Sequence, residues 1–286
     1  MSNRVSVLKT AKLYVNGAFI RSESGRSYEV TNTRGEFLGN VAHGSRKDAR
    51  DAVRAARAAQ SKWASSTAYN RGQILYRIAE MMEGRRGQFI TDVIDSEGIS
   101  RDQAAEIVDA SIDRMVWTAG WSDKIGHVHG TSNPVAGPFF NFSIPEPVGV
   151  VVTIAPQDSS LLGLVTVISA AIVSGNTVVA LASENKPMPA VTLTEVMATS
   201  DVPAGVVNVL FGSSKELGTW LAGHMDVNAI DLAGVSGDAV GPLMEAAAEN
   251  LKRVIKPSPT DWALDQGTSR IQALLETKTV WHTIGV

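Results

Sequence analysis

EPVGVVVTIAPQDSSLLGLVTVISAAIVSGNTVVALASE, residues Glu146 to Glu184, reads as one strand, one helix and a second strand. Val148 to Ile154 is a near-continuous β-branched run, the pattern of a strand buried on both faces. Pro156 ends it. Ser159 or Ser160 can cap the following helix, because a hydroxyl there accepts a bond from one of the first free backbone N–H groups. Leu161 to Val173 is apolar nearly all round, so that helix must be covered on more than one side. Ser174 and Gly175 stop it, and Thr177 to Leu181 is the next buried strand. Such a unit crosses over right-handed and pairs in parallel. Ligands in sheets of this kind sit at the carboxyl ends of the strands, here Ala155 to Ser160 and Ala182 to Glu184.

Outward from this unit the alternation continues toward the C-terminus. Pro189 to Thr199, Ser214 to Gly223 and Ala239 to Asn250 read as helices. Val206 to Leu210, Val227 to Leu232 and Leu251 to Ile255 read as strands. The expected fold is α/β, a doubly wound five-stranded parallel sheet. It lacks a GxGxxG run. Gly234, Gly237 and Gly241 ahead of a helix form the nearest approach to a phosphate cradle, a pattern that many glycine-bearing loops share.

Toward the N-terminus, KLYVNGAFI (Lys12 to Ile20) places Asn-Gly between two apolar runs, a hairpin signal. Helices are expected from Ser45, from about Thr67, over Gln88 to Glu97 with Gly98 as its stop, and from Ser100. From Lys124 to Ile144 the helical period vanishes, which predicts a long hairpin turning near Asn133 to Gly137. His127 and His129 would share a strand face there. With no nearby carboxylate or third ligand they read as surface histidines. Arg85-Arg86 reads as a solvated helix end. Thr277 to Val286, TKTVWHTIGV, alternates as a strand that needs an edge to pair with.

Bulk composition narrows the function. In 286 residues there is no cysteine, which excludes disulfides, thiolate metal sites and thiol catalysis. A net charge of -3 and the absence of a basic stripe argue against nucleic acid and anionic membrane as partners. The longest apolar stretch falls short of the ~20 residues of a membrane span. The N-terminal residues lack the apolar core of a signal peptide, so the expectation is a soluble, cytoplasmic protein.

The order of these pieces resembles the NAD(P)-dependent aldehyde dehydrogenase superfamily. The matching stretches are VNGAF near the start, EPVGVV at Glu146, GNTVV at Gly175, DVPAGVVNVL at Asp201, MEAAAENLKRV at Met244 and TKTVWH in the tail. The resemblance implies a cofactor-binding domain over 1–123 and 145–256, and an oligomerisation hairpin and tail over 124–144 and 277–286. It also implies that the catalytic domain is missing, since few residues separate the strand at Leu251 to Ile255 from the tail.

The family's chemistry needs a cysteine nucleophile, a glutamate base, an asparagine that holds the oxyanion, and a nicotinamide cofactor. The chain has no cysteine. IKPSPTD stands where the family's glutamate segment should follow Val254, and Pro156, Gln157, Asp158 stand where the asparagine turn should be. A charge at Asp158 would repel a developing oxyanion. At the ribose-gripping run after the second strand, here Leu181, Ala182, Ser183, Glu184, only the glutamate remains. The loop before the phosphate-facing helix is here Leu232, Ala233, Gly234, Val235. Glu184, Gly234 and Ala155 are therefore the vestigial cofactor-binding candidates, and no cofactor is expected beyond weak NAD binding.

The resemblance thus predicts a catalytically inactive subunit that joins a full-length aldehyde dehydrogenase as a hetero-oligomer, through Lys278, Val280, Trp281 and Ile284. An apolar face left bare by the missing domain and a free strand edge would both call for that partner. The alternatives are an NAD- or nucleotide-binding regulatory protein and a residual NAD-dependent aldehyde oxidoreductase. A hydrolase built on Asp158, Ser159 and Ser160 is disfavoured, for no histidine is near and capping accounts for the serines.

Overall fold

The computed structural model describes residues 10–265 and 267–285. Residues 1–9, Gln266 and Val286, the last within the stretch read as the terminal strand, lie outside it. Five short strands open the described chain: β1 (Thr10–Ala11), β2 (Leu13–Val15), β3 (Ala18–Ile20), β4 (Ser27–Thr31) and β5 (Phe37–Ala42). β2 and β3 form the expected hairpin, Leu13 facing Ile20 and Val15 facing Ala18. Its two-residue turn places Asn16 and Gly17 at positive φ, 53° and 73°, which suits the twist of the flanking strands. β1, β5 and β4 make a separate three-stranded sheet.

Four long helices follow, α1 (Arg46–Ser65), α2 (Ala68–Gly84), α3 (Arg86–Glu97) and α4 (Arg101–Trp121). Capping boxes fix two of their starts: Ser45 with Asp48 for α1, Ser100 with Gln103 for α4. Gly98, left-handed at φ 71°, ends α3 as the sequence predicts. Arg85 and Arg86 are not merely solvated. They pair with Glu195 at 2.7 Å and Asp109 at 2.6 Å.

The stretch read as one long hairpin divides differently. Lys124 precedes a single helical turn, α5 (Ile125–His129), and only then come β6 (Thr131–Asn133) and β7 (Phe139–Pro147). His127 and His129 therefore lie on a helix rather than on a strand face. Ile125, 5% exposed, explains the turn, because it anchors this segment in the core.

The central unit is β8 (Val150–Ile154), α6 (Leu162–Ile172) and β9 (Thr177–Leu181), every residue of which is buried. Of the two candidate capping serines Ser159 acts, its Oγ accepting from the Gly163 N–H at 2.9 Å. Ser160 instead donates its N–H and Oγ to Glu97 Oε1, at 2.9 and 2.6 Å. After α6, Gly175 takes φ +101° against Ala64, where a Cβ would stand 3.1 Å from the Ala64 Cα.

The remaining elements are α7 (Met188–Met197), β10 (Val207–Leu210), α8 (Ser214–Gly223), β11 (Ala229–Asp231), α9 (Val240–Ala248), β12 (Arg253–Ile255), α10 (Ser269–Ala273) and β13 (Leu275–Thr283). The main sheet runs β12-β11-β8-β9-β10-β2-β3. Its five expected strands are parallel, and the N-terminal hairpin extends the same sheet antiparallel at β10, Val209 facing Tyr14. The parallel sheet is thus five-stranded as read, within a sheet of seven. A third sheet, β13-β7-β6, stands apart, with β13 antiparallel to β7 from Leu275↔Pro147 to Thr283↔Phe139.

Candidate functional site

Strand β8 ends at Ile154, so Ala155 to Ser160 and the β9 tip at Ala182 to Glu184 lie side by side. Gln157 bridges them. Its Nε2 donates to the Ala155 carbonyl at 2.8 Å, and its Oε1 accepts the Glu184 N–H at 3.0 Å. Ala155 donates its own N–H to the Leu181 carbonyl at 2.9 Å, so both of its backbone groups are engaged within the protein. Asp158 is exposed, and its carbonyl accepts from Lys186 Nζ at 3.5 Å.

Gly234 follows β11 and touches the same tip. Its N–H donates to the Ile154 carbonyl at 2.8 Å, and a Cβ there would stand 1.8 Å from the Ala155 oxygen. Glycine is needed for this close approach. The next amide, Val235, donates to Leu232. Leu232 and Ala233 donate to Ile255 and Asp231, so all four N–H groups from Leu232 to Val235 are engaged within the protein, and the fit to a phosphate is poor.

Glu184 is different. Its carboxylate has no hydrogen-bond or ion-pair partner among the described residues, and it lines a cleft of about 570 Å³ shared with Tyr28, Asn32, His43, Ser96 and Lys186. The hydroxyls of Tyr28, Ser96 and Ser183 are buried without a hydrogen-bond partner among the described residues. Burial, and secondarily the charge of Glu184, pushes the Tyr28 phenol above its ordinary range. The cofactor candidates thus come together in space, but only Glu184 offers a group that is not already engaged. Its fit to a whole dinucleotide is incomplete.

The residues that follow β12 cover the neighbouring surface, which sequence reasoning missed. Trp262, 8% exposed, lies on Leu162 and Val167 of α6, with Ile107, Ala110 and Ala233 around it. Arg114 of α4 donates to the Trp262 and Leu264 carbonyls at 3.2 and 2.8 Å and to Thr166 Oγ1 at 3.1 Å. Arg270 pairs with Asp231, 1% exposed at the end of β11, and its guanidinium lies 5.4 Å from the Trp262 ring centroid. Burial pushes the Asp231 carboxyl up, while Arg270 and the Ala233 N–H pull against it. Trp262 and Arg270, with the described residues around them, thus form a strap over Leu162 and Val167 of α6. A tryptophan in an otherwise irregular stretch was the one available signal.

Exposed apolar side chains gather instead on the third sheet: Phe139, Phe140, Ile144, Trp281 and Ile284. Trp281, 61% exposed, meets Phe139 edge-on at 5.7 Å. Lys278 pairs with Glu146 at 2.9 Å, and Val280 faces Phe142. On the same face as Trp281 and Phe139, Asn133 donates to Asn141 at 2.6 Å and to Ser143 at 2.9 Å, and Ser143 meets Thr279 at 2.9 Å. Among the described residues the backbone of β13 is used on one side only. Ile284 donates to Pro138 and Val148 to Leu274, and in an antiparallel ladder such pairs alternate. Lys278, Val280 and Ile284 consequently direct their backbone groups to β7 of their own chain rather than outward.

A parallel α/β sheet, an N-terminal hairpin at one edge and a separate small sheet define the architecture of a dehydrogenase cofactor domain. Residues 19–256 match the aldehyde dehydrogenase family, and the chain belongs to it. It is 32% identical over 249 residues to the putative aldehyde dehydrogenase DhaS of Bacillus subtilis (strain 168), covering 86% of this chain and 50% of that protein. It is 34% identical over 254 residues to aldehyde dehydrogenase 1A1 of Gallus gallus, with 86% and 49% covered. Among solved structures it resembles the NAD+ complex of an aldehyde dehydrogenase from Bacillus cereus, at TM-score 0.82 and 27% identity over 86% of this chain and 50% of that one. PnpE from Pseudomonas sp. WBC-3 gives TM-score 0.82 at 29% identity, with the same coverage. The chain spans about half the length of the curated relatives it matches.

Proposed function

We propose that this chain is a non-catalytic subunit that assembles with a full-length aldehyde dehydrogenase, as a structural or regulatory partner in the cytoplasm. The observation that carries the reading is the absence of cysteine from all 286 residues. Without a thiolate the covalent route of the family has no nucleophile. The strap supports it, since Trp262 covers Leu162 and Val167 of α6 from within the same chain. The free edge of the third sheet, with Trp281 beside it, is the assembly element. Among the described residues no helix is long and apolar enough to cross a membrane.

The test is enzymatic and then structural. The purified chain, offered NAD and a panel of aldehydes, should produce no NADH above a blank. Sustained turnover that survives removal of contaminating enzyme would overturn the reading. Co-expression with a full-length family member should give a complex whose mass, by light scattering, exceeds that of either partner.

A second reading, a nucleotide-binding regulator, is favoured by the unengaged Glu184 carboxylate and by the NAD+ complex of the Bacillus cereus relative. Weak NAD binding is the expectation, since Leu181 offers no charge and Gly234 no free N–H. Calorimetric titration giving a low-micromolar Kd, lost in Glu184→Ala, would promote this reading over the first.

A further inference from the structure

Strand β13 lies at the end of its sheet, and among the described residues nothing pairs with its outer side. The alternation of the β7 ladder leaves five residues, Leu275, Thr277, Thr279, Trp281 and Thr283, with N–H and C=O groups directed outward. The strand is 9 residues long, contains no proline and carries one lysine, and almost all of it is exposed. Few of the usual guards of an edge strand are present, so it is a template for another strand.

We propose that, in the absence of a full-length relative, this edge closes on a second copy of the chain, antiparallel about a twofold axis through Thr279. The result is one continuous six-stranded sheet. The proposal rests on the reading of the edge as the assembly element and names its occupant when no relative is present.

Three features fix the occupant and the register. First, Thr279 is the midpoint of Leu275–Thr283, so this is the symmetric register in which the whole strand overlaps its copy. It pairs Leu275 with Thr283, Thr277 with Trp281 and Thr279 with itself, giving about ten backbone hydrogen bonds across the axis. Second, the polar groups suit one another. Glu276 stands opposite His282 of the second copy, whose ring N–H can donate to a carboxylate, and Lys278 stands opposite Val280. An axis shifted to Lys278 sets that lysine against itself, and an axis at Val280 sets Glu276 against the apolar Ile284, both unfavourable. Third, the exposed Trp281 ring comes to lie across Thr277 of the second copy, on the face that already carries Phe139.

The chain's lack of cysteine makes the test clean. Thr279→Cys puts one thiol in each copy at directly opposed positions, with Cα atoms about 5.5 Å apart, within disulfide range. Mild oxidation should convert the purified full chain largely to a covalent dimer. Thr283→Cys is the control, for its thiols would lie about 27 Å apart at opposite ends of the paired strands. Wild type should run as a dimer by light scattering at tens of micromolar, roughly the range of a modest edge contact. Glu276→Lys should raise the dimer Kd at least about tenfold, and Glu276→Lys with His282→Glu should restore it. Glu276 lies 3.8 Å from Arg253 of its own chain, and that neighbour is unchanged in the double variant, so restoration reports the contact between copies.

A wild-type monomer at every concentration, or equal cross-linking at 279 and 283, would overturn the proposal. A monomer that nonetheless forms a stable complex with a full-length relative would overturn self-pairing and leave the assembly reading intact. A dimer that ignores the relative would do the reverse.

Discussion

The seven-stranded and three-stranded sheets of this chain meet solvent in opposite ways. In the first, β8, β9 and β10 are wholly buried, and the carboxyl-end tips are closed by Gln157 and the Trp262 strap. In the second, β13 is exposed along nearly its whole length, with one backbone edge open. The difference lies in what was left uncovered. Apolar side chains on α6 can be covered by a few residues of the same chain, since the hydrophobic effect is non-directional and any well-shaped apolar surface serves. A strand edge requires another strand in register, which the strap does not supply.

Two tryptophans give the largest test of this contrast. Trp262→Ala removes a buried ring from α6 and should cost about 3–5 kcal/mol in urea unfolding. Trp281→Ala, on the open sheet, should change monomer stability by less than about 1 kcal/mol and act on association instead. Equal losses at the two positions would erase the distinction. The ion pairs repeat it. Arg270→Ala strands Asp231 in the interior and should cost about 3–5 kcal/mol, whereas Lys278→Ala opens a pair that is 57% and 44% exposed and should cost less than about 1 kcal/mol.

A pH titration sharpens the comparison from the buried side. Asp92 on α3 accepts from Thr192 on α7 at 2.5 Å. Burial raises its carboxyl to about 7, opposed by the Thr192 bond and assisted by Asp95 and Glu195. A carboxyl raised in the folded state above its ordinary 3.8 holds its proton there while the unfolded chain has lost it. Stability should therefore be fullest on the acid side and fall between about pH 4 and 7, by up to about 4 kcal/mol. Asp92→Asn should flatten that slope and leave the variant more stable than wild type at pH 8. Unfolding curves with equal slopes for both proteins would refute the assignment. At the tips, Gln157→Ala removes the bridge to Glu184 and should cost about 1 kcal/mol.

The central unit was legible because its strands are β-branched runs and its helix is apolar all round, so burial could be read directly. So were the starts at Ser45 and Ser100, whose capping signals are local. Pairing between distant segments was not. Nothing in KLYVNGAFI says that its hairpin joins β10, since backbone pairing carries little sequence signature at a sheet edge. The α5 turn is too short to show a helical period, and the glycines around it imitate a hairpin. At the site, Glu184 could be placed by resemblance. The bridge by Gln157 could not, because a glutamine's two hydrogen-bonding ends become meaningful only once both tips are in place. Trp262 and Arg270 lie in or beside an irregular stretch with no periodicity to say what they face.

The strap also imposes an order on synthesis. α6 leaves the ribosome well before its cover, and about a hundred residues at about 5–20 residues per second amount to a delay of about 5–20 s. During that interval Leu162 and Val167 have no Trp262 to shield them, although α4 has already been made and can dock beside them through Ile107 and Ala110. The nascent chain thus carries an apolar stripe available to chaperones or to neighbouring nascent chains. Slower growth at low temperature, or added chaperone, should raise the soluble yield by acting on that interval, with no change in the finished fold.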